Sequence, residues 1–166
     1  MVEVRIESPE DRQAIYQVNV AAFGRKAEAR LVDELRKSAK PFLSFVAHQN
    51  GKIVGHVSYS PVLIGASGSG LGLAPIAVLP RFQRQGIGTV LLSASLQCLH
   101  RQGYPWVVVL GHPAFYSRFG FLPSQQHEIT CEYDVPSDLF MVQELIRGSL
   151  AGIVGVARYH SAFASL

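Results

Sequence analysis

The chain reads Gln83-Arg84-Gln85-Gly86-Ile87-Gly88-Thr89 where an apolar segment ending Ile76-Ala77-Val78 meets a segment with helical apolar periodicity. Glycine has no Cβ, so backbone N–H groups at such a turn can approach anionic oxygens closely. The first turn of the helix adds N–H groups without intrahelical acceptors and the positive end of the helix dipole. Arg81 and Arg84 add side-chain charge at the same end. The stretch predicts a pyrophosphate-binding turn, although a glycine at a loop-to-helix junction can also serve packing alone.

Two other phosphate-binding loops fit this stretch less well. A P-loop requires a lysine directly before the Ser or Thr, and here Gly88 is followed by Thr89 with no lysine nearby. A dinucleotide fingerprint requires a third glycine where this chain has Leu91, and an acidic residue about twenty positions further on. The chain has no acid there.

A second motif follows the apolar run Val107–Leu110. The chain continues to Tyr116 and then to the pair Gly120-Phe121. Together, a Gln-x-x-Gly-x-Gly turn after a strand and a downstream tyrosine followed by Gly-Phe resemble the GCN5-related N-acetyltransferase (GNAT) superfamily, in its YhbS-like branch. The resemblance covers nearly the whole chain and includes Ala22-Phe23-Gly24, Gly55-His56, Leu73-Ala74-Pro75 and Tyr159 to Phe163. Position 112 is His, where this branch has Asp.

This resemblance implies a fold and a cosubstrate. The fold is α/β (α+β): a central mixed, mostly antiparallel sheet of about seven strands, splayed in the middle, with helices on both faces. The cosubstrate is acetyl-CoA, with its pantetheine arm paired to the backbone of one central strand and its pyrophosphate on the glycine turn. The implied cofactor-binding residues are Ile76, Ala77, Val78, Gln83, Arg84, Gln85, Gly86, Ile87, Gly88, Thr89, Phe115 and Tyr116.

Length and composition predict one domain over residues 1–166, since this chain can bury a core without disulfides or metal. Hydrophobic residues make up 48% and charged residues 16%, which argues against disorder. The apolar runs are too short to span a bilayer, and residues 1–5 do not read as a signal peptide. The net charge of +3 has no basic block typical of a nucleic-acid face, and Cys98 and Cys131 do not form a metal motif. We therefore expect a cytoplasmic protein, monomeric or homodimeric, that binds neither nucleic acid, membrane nor metal.

Periodicity and turn residues divide the chain into elements. Ser8-Pro9 predicts a helix start, with the helix reaching Phe23, and Asn50-Gly51 predicts a hairpin turn. The Gly- and Ser-rich residues 65–72 predict a loop before a strand over 71–78. A helix then follows from Gly86 to about Gln102, and Trp106–Leu110 predicts a parallel strand. Residues 129–133 and 139–146 look like a second hairpin. The segment 139–146 could be a strand or a helix by its pattern, and the family resemblance implies a strand.

Acetyl transfer to an amine requires an unprotonated nucleophile, a polarised carbonyl and a proton for the departing thiolate. Tyr116 is the natural proton donor because a phenol is protonated at neutral pH. The resemblance implies that the Val78 N–H polarises the carbonyl. The base is open among Glu28, His56, His112 and a water chain, and each of these side chains could instead be structural.

The sequence thus predicts an acyltransferase, an acetyl-CoA-dependent N-acetyltransferase acting in a ternary complex on a primary amine of a small molecule or peptide. A non-catalytic acyl-CoA-binding regulatory module is the alternative, as is transfer of a longer acyl group if there is room near Phe115 and Phe23. The acceptor cleft is expected between the first two helices and the last hairpin. No acidic cluster there indicates a polyamine, so the acceptor stays open.

Overall fold

In the computed structural model, which describes residues 1–166, nine strands and four α-helices follow one another. The strands are β1 Glu3–Ile6, β2 Leu43–Gln49, β3 Lys52–Ile64, β4 Gly68–Val78, β5 Trp106–Leu110, β6 Leu122–Pro123, β7 Ile129–Cys131, β8 Phe140–Glu144 and β9 Gly155–Tyr159. The helices are α1 Arg12–Phe23, α2 Ala27–Ser38, α3 Ile87–Arg101 and α4 Pro113–Tyr116. The chain divides into two compact units: Met1–Ser60, Ala74–Ser95 and Ser161–Leu166 form the first unit, and Pro61–Leu73 and Leu96–His160 form the second.

The start of α1 follows the predicted cap. Pro9 opens a short 3-10 turn that leads into the helix. Both the N–H and the hydroxyl of Ser8 donate to the Asp11 carboxylate, at 2.7 and 3.0 Å. The helix ends at Gly24, whose φ of 70° is left-handed and whose N–H donates to the Val20 carbonyl at 2.9 Å.

In the first unit, β1, β2 and β3 form an antiparallel ladder, with Ile6 opposite Phe45 and Leu43 opposite Tyr59. The hairpin between β2 and β3 turns at Asn50-Gly51, where both residues have positive φ, as a two-residue turn of this kind requires. The predicted hairpin is therefore confirmed.

Helices cover both faces of this ladder. Ile15 of α1 and Val32 of α2 pack on Val46 of β2. On β3, His56 contacts Asn19 of α1, whereas a Cβ on its neighbour Gly55 would meet Ile87 of α3 at 3.3 Å. Successive strand residues point to opposite faces, so α1 and α3 lie on opposite faces of β3.

In the second unit, β5 is central: it pairs parallel with β4 and antiparallel with β8, and β8 pairs antiparallel with β6. The end of β3 pairs with β9, which pairs parallel with β7. The core between these strands contains Val62, Ile64, Trp106, Val108, Ile129, Phe140, Val142, Leu150 and Ala157. The sheet is mixed and mostly antiparallel, as predicted, with nine strands.

Two sequence predictions were wrong in detail. The predicted loop over residues 65–72 ends early, because β4 already begins at Gly68. Gly70 and Gly72 are strand positions where a Cβ would lie 2.5 Å from the Trp106 ring and 2.8 Å from the Tyr159 ring, so the glycines serve close packing. The predicted second hairpin does not form either, since β7 pairs with β9 and β8 pairs with β5 and β6.

None of the helices has the length and hydropathy that a membrane-spanning helix requires.

Candidate active site

The glycine turn lies between the end of β4 and the start of α3, within the segment Ala74–Ser95 of the first unit. A 3-10 turn over Pro80–Phe82 follows β4, and the backbone at Arg84 and Gly86 is left-handed, with φ of 63° and 85°. The first intrahelical bond runs from the Val90 N–H to the Gly86 carbonyl at 3.1 Å. The N–H groups of Ile87 and Gly88 precede that bond, so they lie at the positive end of the helix.

Two glutamine side chains brace the turn from within. The Gln83 amide donates to the Val78 carbonyl at 2.9 Å, and the Gln85 amide donates to the Arg81 carbonyl at 3.1 Å. These bonds join Gln83 to the end of β4 and Gln85 to the 3-10 turn that follows it. What the turn offers an anion is therefore its backbone N–H groups and the exposed side chain of Arg84.

The charge pattern around the turn favours an anion. No Asp or Glu occurs between Glu34 and Glu128, a segment that includes β4, the turn and α3. The guanidinium of Arg81 lies 6.0 Å from the centroid of the Phe82 ring, and Lys52 lies over the same ring at 5.8 Å. Positive charge at the turn is thus not offset by a carboxylate from the same segment of chain.

The end of β4 carries three further predicted cofactor-binding residues. Ala77 is 3% exposed, and its neighbours Ile76 and Val78 are partly buried. A Cβ at Gly55 would lie 3.4 Å from the Ala77 carbonyl, so this strand packs closely on β3. Pairing of β4 with β5 covers only Leu71–Leu73.

Tyr116 ends the short helix α4 in the second unit. Its ring is 7% exposed and makes edge contacts with Phe115 and Phe121, at centroid distances of 5.0 and 5.7 Å. A Cβ on Gly111 would overlap this ring, so only glycine lets Tyr116 occupy its place. Burial raises the pKa of Tyr116 to about 12, so the phenol is protonated at neutral pH.

His112 is exposed and lies just before α4, where its carbonyl accepts the N–H groups of Phe115 and Tyr116 at 3.1 and 3.2 Å. The structure therefore brings three predicted residues, His112, Phe115 and Tyr116, together in one turn of chain.

His56 lies inside the first unit, with 0% of its surface exposed. Its Nδ1 is 3.1 Å from the Asn19 amide nitrogen, which also donates to the Ile15 carbonyl, so Nδ1 accepts and Nε2 carries the proton. That Nε2 lies 2.9 Å from the Ser44 hydroxyl. Burial lowers the pKa of His56 to about 3, so the ring is neutral at physiological pH and is a weak base.

Glu28 lies in the first turn of α2 and is 6% exposed. Both of its carboxylate oxygens accept hydrogen bonds from Arg25, at 3.0 and 2.5 Å. These bonds lower the pKa of Glu28 below its usual range. The carboxylate is therefore ionised and already paired, and no hydrogen bond joins it to His56.

Sequence reasoning did not single out Gly111, Glu132 or Tyr133. Gly111 shapes the Tyr116 pocket, and Glu132 and Tyr133 follow β7 beside Tyr159. No local signal in the sequence could indicate these contacts. Those of Glu132 and Tyr133 depend on the parallel pairing of β7 with β9, and that of Gly111 depends on the Tyr116 ring packing against its backbone. The chain contains no group of three His, Cys, Asp or Glu residues that could hold a metal ion.

Comparison with known proteins identifies the family. A family model described as an acetyltransferase (GNAT) domain matches residues 40–123. The uncharacterized N-acetyltransferase YhbS of Escherichia coli (strain K12) is 36% identical over 162 residues, which cover 96% of this chain and 97% of the relative.

Two solved structures are similar over nearly the whole chain. One is that of the GNAT family N-acetyltransferase YhbS from Escherichia coli in complex with CoA: its TM-score is 0.92 and its identity 34%, with 98% of this chain and 92% of that chain covered. The other is that of a GNAT family acetyltransferase from Brucella melitensis in complex with acetyl-CoA, with a TM-score of 0.79, 34% identity and 98% of each chain covered. The predicted fold class is confirmed, and the chain belongs to the GNAT family of N-acetyltransferases.

Proposed function

We propose that this enzyme transfers the acetyl group of acetyl-CoA to a primary amine of a small molecule or peptide within one ternary complex. The observation that carries the proposal is the turn between β4 and α3, where helix N–H groups, Arg84 and a carboxylate-free segment offer an anion site. The CoA and acetyl-CoA in the two similar structures support the same cosubstrate.

The residues present fit acetyl-CoA. The left-handed φ of Gly86 is one that L side chains rarely adopt, and it keeps the turn tight at the helix start. The backbone from Gln83 to Thr89 would hold the pyrophosphate. Ile76, Ala77 and Val78 would offer their backbone to the pantetheine amides, with Phe115 beside the reactive end.

Tyr116 is the proposed donor to the leaving sulfur. Acetyl-CoA supplies the thioester carbonyl that the amine attacks and the sulfur on which negative charge develops. Because burial raises the pKa of Tyr116 to about 12, the phenol keeps its proton through the physiological range and can donate a hydrogen bond to that sulfur. The contacts with Phe115 and Phe121 keep the ring in place.

Water, rather than a side chain, is the proposed base for the amine. His56 has a pKa of about 3 and no exposed surface. Arg25 pairs with Glu28 and lowers its pKa, which weakens it as a base. His112 is exposed and is the one candidate side chain open to solvent, so it is the alternative to water.

The proposal also covers the boundaries of the domain and the compartment in which the protein works. We infer that residues 1–166 act as one acetyltransferase domain, since the YhbS relative matches 96% of the chain. We also infer that the protein works in the cytoplasm, where acetyl-CoA is supplied by metabolism.

The test combines binding and turnover. We expect CoA and acetyl-CoA to bind in isothermal calorimetry, and thiol to be released from acetyl-CoA when primary amines of different charge and length are added. Binding of acetyl-CoA without thiol release for any amine would refute the transfer. Absence of CoA binding would refute the assignment of the turn.

A further inference from the structure

The chain segment that carries Tyr116 is a loop fastened at both ends to strand β8. Where the loop begins, the Gly111 N–H donates to the Leu139 carbonyl at 2.9 Å, directly before β8. Where it ends, Leu122 of β6 lies opposite Val142 of β8. The position of the Tyr116 ring therefore depends on how this loop is held on β8.

One side chain of β8 donates a further hydrogen bond to the loop. The Gln143 Nε2 donates to the Phe119 carbonyl at 2.8 Å. A carbonyl oxygen only accepts hydrogen bonds, so the amide nitrogen of Gln143 must be the atom that faces it. The Gln143 Oε1 is buried and accepts no hydrogen bond from the protein. The bond to Phe119 is therefore the polar contact that orients this side chain.

Gly120 allows the amide and the carbonyl to meet. Its φ of 94° is left-handed, and a Cβ at this position would lie 2.9 Å from the Gln143 Nε2. Both the turn of the backbone and the close approach of the amide thus favour a residue without a side chain. Gln143 and Gly120 fit each other as a pair.

The peptide that Gln143 holds lies between two rings that support Tyr116. Before this peptide, the Phe119 ring contacts Phe115 at 5.1 Å between centroids, and Phe115 contacts Tyr116 at 5.0 Å. After it, the buried Phe121 ring contacts Tyr116 at 5.7 Å. A shift of the peptide between Phe119 and Gly120 would therefore move both ring contacts of Tyr116.

We propose that Gln143 is a positioning residue: its bond to the Phe119 carbonyl fixes the loop so that the Tyr116 hydroxyl meets the leaving sulfur. Gln143 acts through the backbone and the aromatic rings and takes no part in the chemistry itself. This inference rests on the proposed role of Tyr116 as the proton donor, and it adds a residue on β8 to those that determine the rate.

The variant Gln143→Met removes the donor and keeps a side chain of similar length. It also removes the buried Oε1 that lacks a partner, which offsets the unmade bond at Phe119, so the free energy of unfolding should change little. We expect the CoA affinity of the wild type and a kcat lower by about tenfold, within the hundredfold that a misplacement of about 1 Å can cost. In the Tyr116→Phe background, Gln143→Met should not lower kcat further, because the hydroxyl that it positions is gone.

Two variants are matched to this one. Val142→Ala alters the neighbouring residue, which lies in the core on the opposite face of β8. It should lower the free energy of unfolding more than Gln143→Met does and should keep the kcat of the wild type. Gly120→Ala displaces the Gln143 amide from the loop side and should lower kcat as Gln143→Met does. If Gln143→Met does not fold, Gly120→Ala takes its place in every comparison.

A second measurement does not depend on acetyl transfer. The N–H groups of Tyr116 and Gly120 donate to carbonyls within the loop, at 3.2 Å each. Their hydrogen exchange should be faster in Gln143→Met, because the loop opens more often when it is not held on β8. Exchange at Val107, which lies opposite Gln143 in the β5–β8 ladder, should be the same in both proteins.

Four results would overturn the inference. They are an unchanged kcat in Gln143→Met, an equal loss of kcat in the wild-type and Tyr116→Phe backgrounds, an equal loss of kcat in Val142→Ala, and unchanged hydrogen exchange at Tyr116 and Gly120. Failure of the proposed function is visible separately, as a wild-type enzyme that binds acetyl-CoA and releases no thiol. In that case the hydrogen exchange alone decides whether Gln143 holds the loop.

Discussion

Tyr116 is the residue on which the proposed chemistry most depends. Replacing it with Phe removes the hydroxyl and leaves the ring packed on Phe115 and Phe121. We expect Tyr116→Phe to keep the CoA affinity and to lower kcat about a hundredfold to ten-thousandfold, the range for a general acid. Steady-state kinetics and calorimetry measure the two quantities.

The matched control is Tyr104→Phe, which removes a phenol hydroxyl from a residue between α3 and β5. Its kcat should equal that of the wild type. If Tyr116→Phe retains kcat within about threefold while chemistry limits the rate, Tyr116 is a packing aromatic only.

His56 makes stability depend on pH. The folded pKa is about 3 and the unfolded pKa about 6.5, so the unfolded chain binds more protons between these values. The free energy of unfolding is therefore highest above pH 6.5 and falls as the pH drops toward 3. From pH 7 to pH 5 the loss from this group is about 2 kcal/mol.

Urea unfolding of the wild type and of His56→Gln at both pH values measures this contribution. The variant should lose less free energy of unfolding between pH 7 and pH 5 than the wild type. Asp11, whose pKa Arg5 holds well below its usual range, acts in the same direction but below about pH 4, outside this interval. Equal losses in both proteins would show that His56 is not the cause.

At the scale of elements, the start of α3 carries the proposed anion site. Gly86 has φ of 85° with open space where a Cβ would be, so Gly86→Ala strains the turn without a clash. We expect this variant to weaken CoA binding by about tenfold or more, because the helix N–H groups no longer converge on the phosphates.

The opposite end of the same helix offers the control for that measurement. Gly103 lies just beyond the end of α3 and has φ of 86° with equally open space, so Gly103→Ala imposes the same backbone strain away from the glycine turn. Gly103→Ala should lower the free energy of unfolding by about as much as Gly86→Ala does. It should keep the CoA affinity of the wild type. Equal CoA affinities in both variants and the wild type would contradict the assignment of the turn.

For the whole molecule, the proposal that water is the base predicts how activity depends on pH. His56 is neutral and buried, and Glu28 is paired with Arg25. Activity should therefore rise from pH 6 toward pH 9 and follow the pKa of the acceptor amine. The measurement is kcat/KM against pH for acceptors of different basicity.

The variant His112→Ala distinguishes the two proposed routes for the proton. If water is the base, the rise of kcat/KM with pH occurs at the same pH in His112→Ala as in the wild type. The other outcome is that kcat/KM rises near pH 6 to 7 for every acceptor, and that this rise disappears in His112→Ala. That outcome would assign the base to His112.

Local signals were sufficient for several parts of the fold. The Asn50-Gly51 turn, the cap at Ser8 and the glycine turn before α3 lie where the sequence predicts them. Turn residues, caps and apolar periodicity act over a few neighbouring residues, so their effect can be predicted without knowing the rest of the molecule.

The sequence alone identified the family by its resemblance, and with it the α/β class, because the motifs that carry the resemblance are residue types at short, regular spacing. The same motifs predict the anion-binding turn and the proton donor Tyr116. The tertiary structure decided that β7 pairs with β9, that Gly72 is a strand position under the Tyr159 ring, and that His56 is held neutral. It also placed Glu132 on the Tyr159 N–H, across 27 residues of chain. Strand partners, desolvation and contacts between distant side chains arise only when remote segments pack together, so no local pattern encodes them.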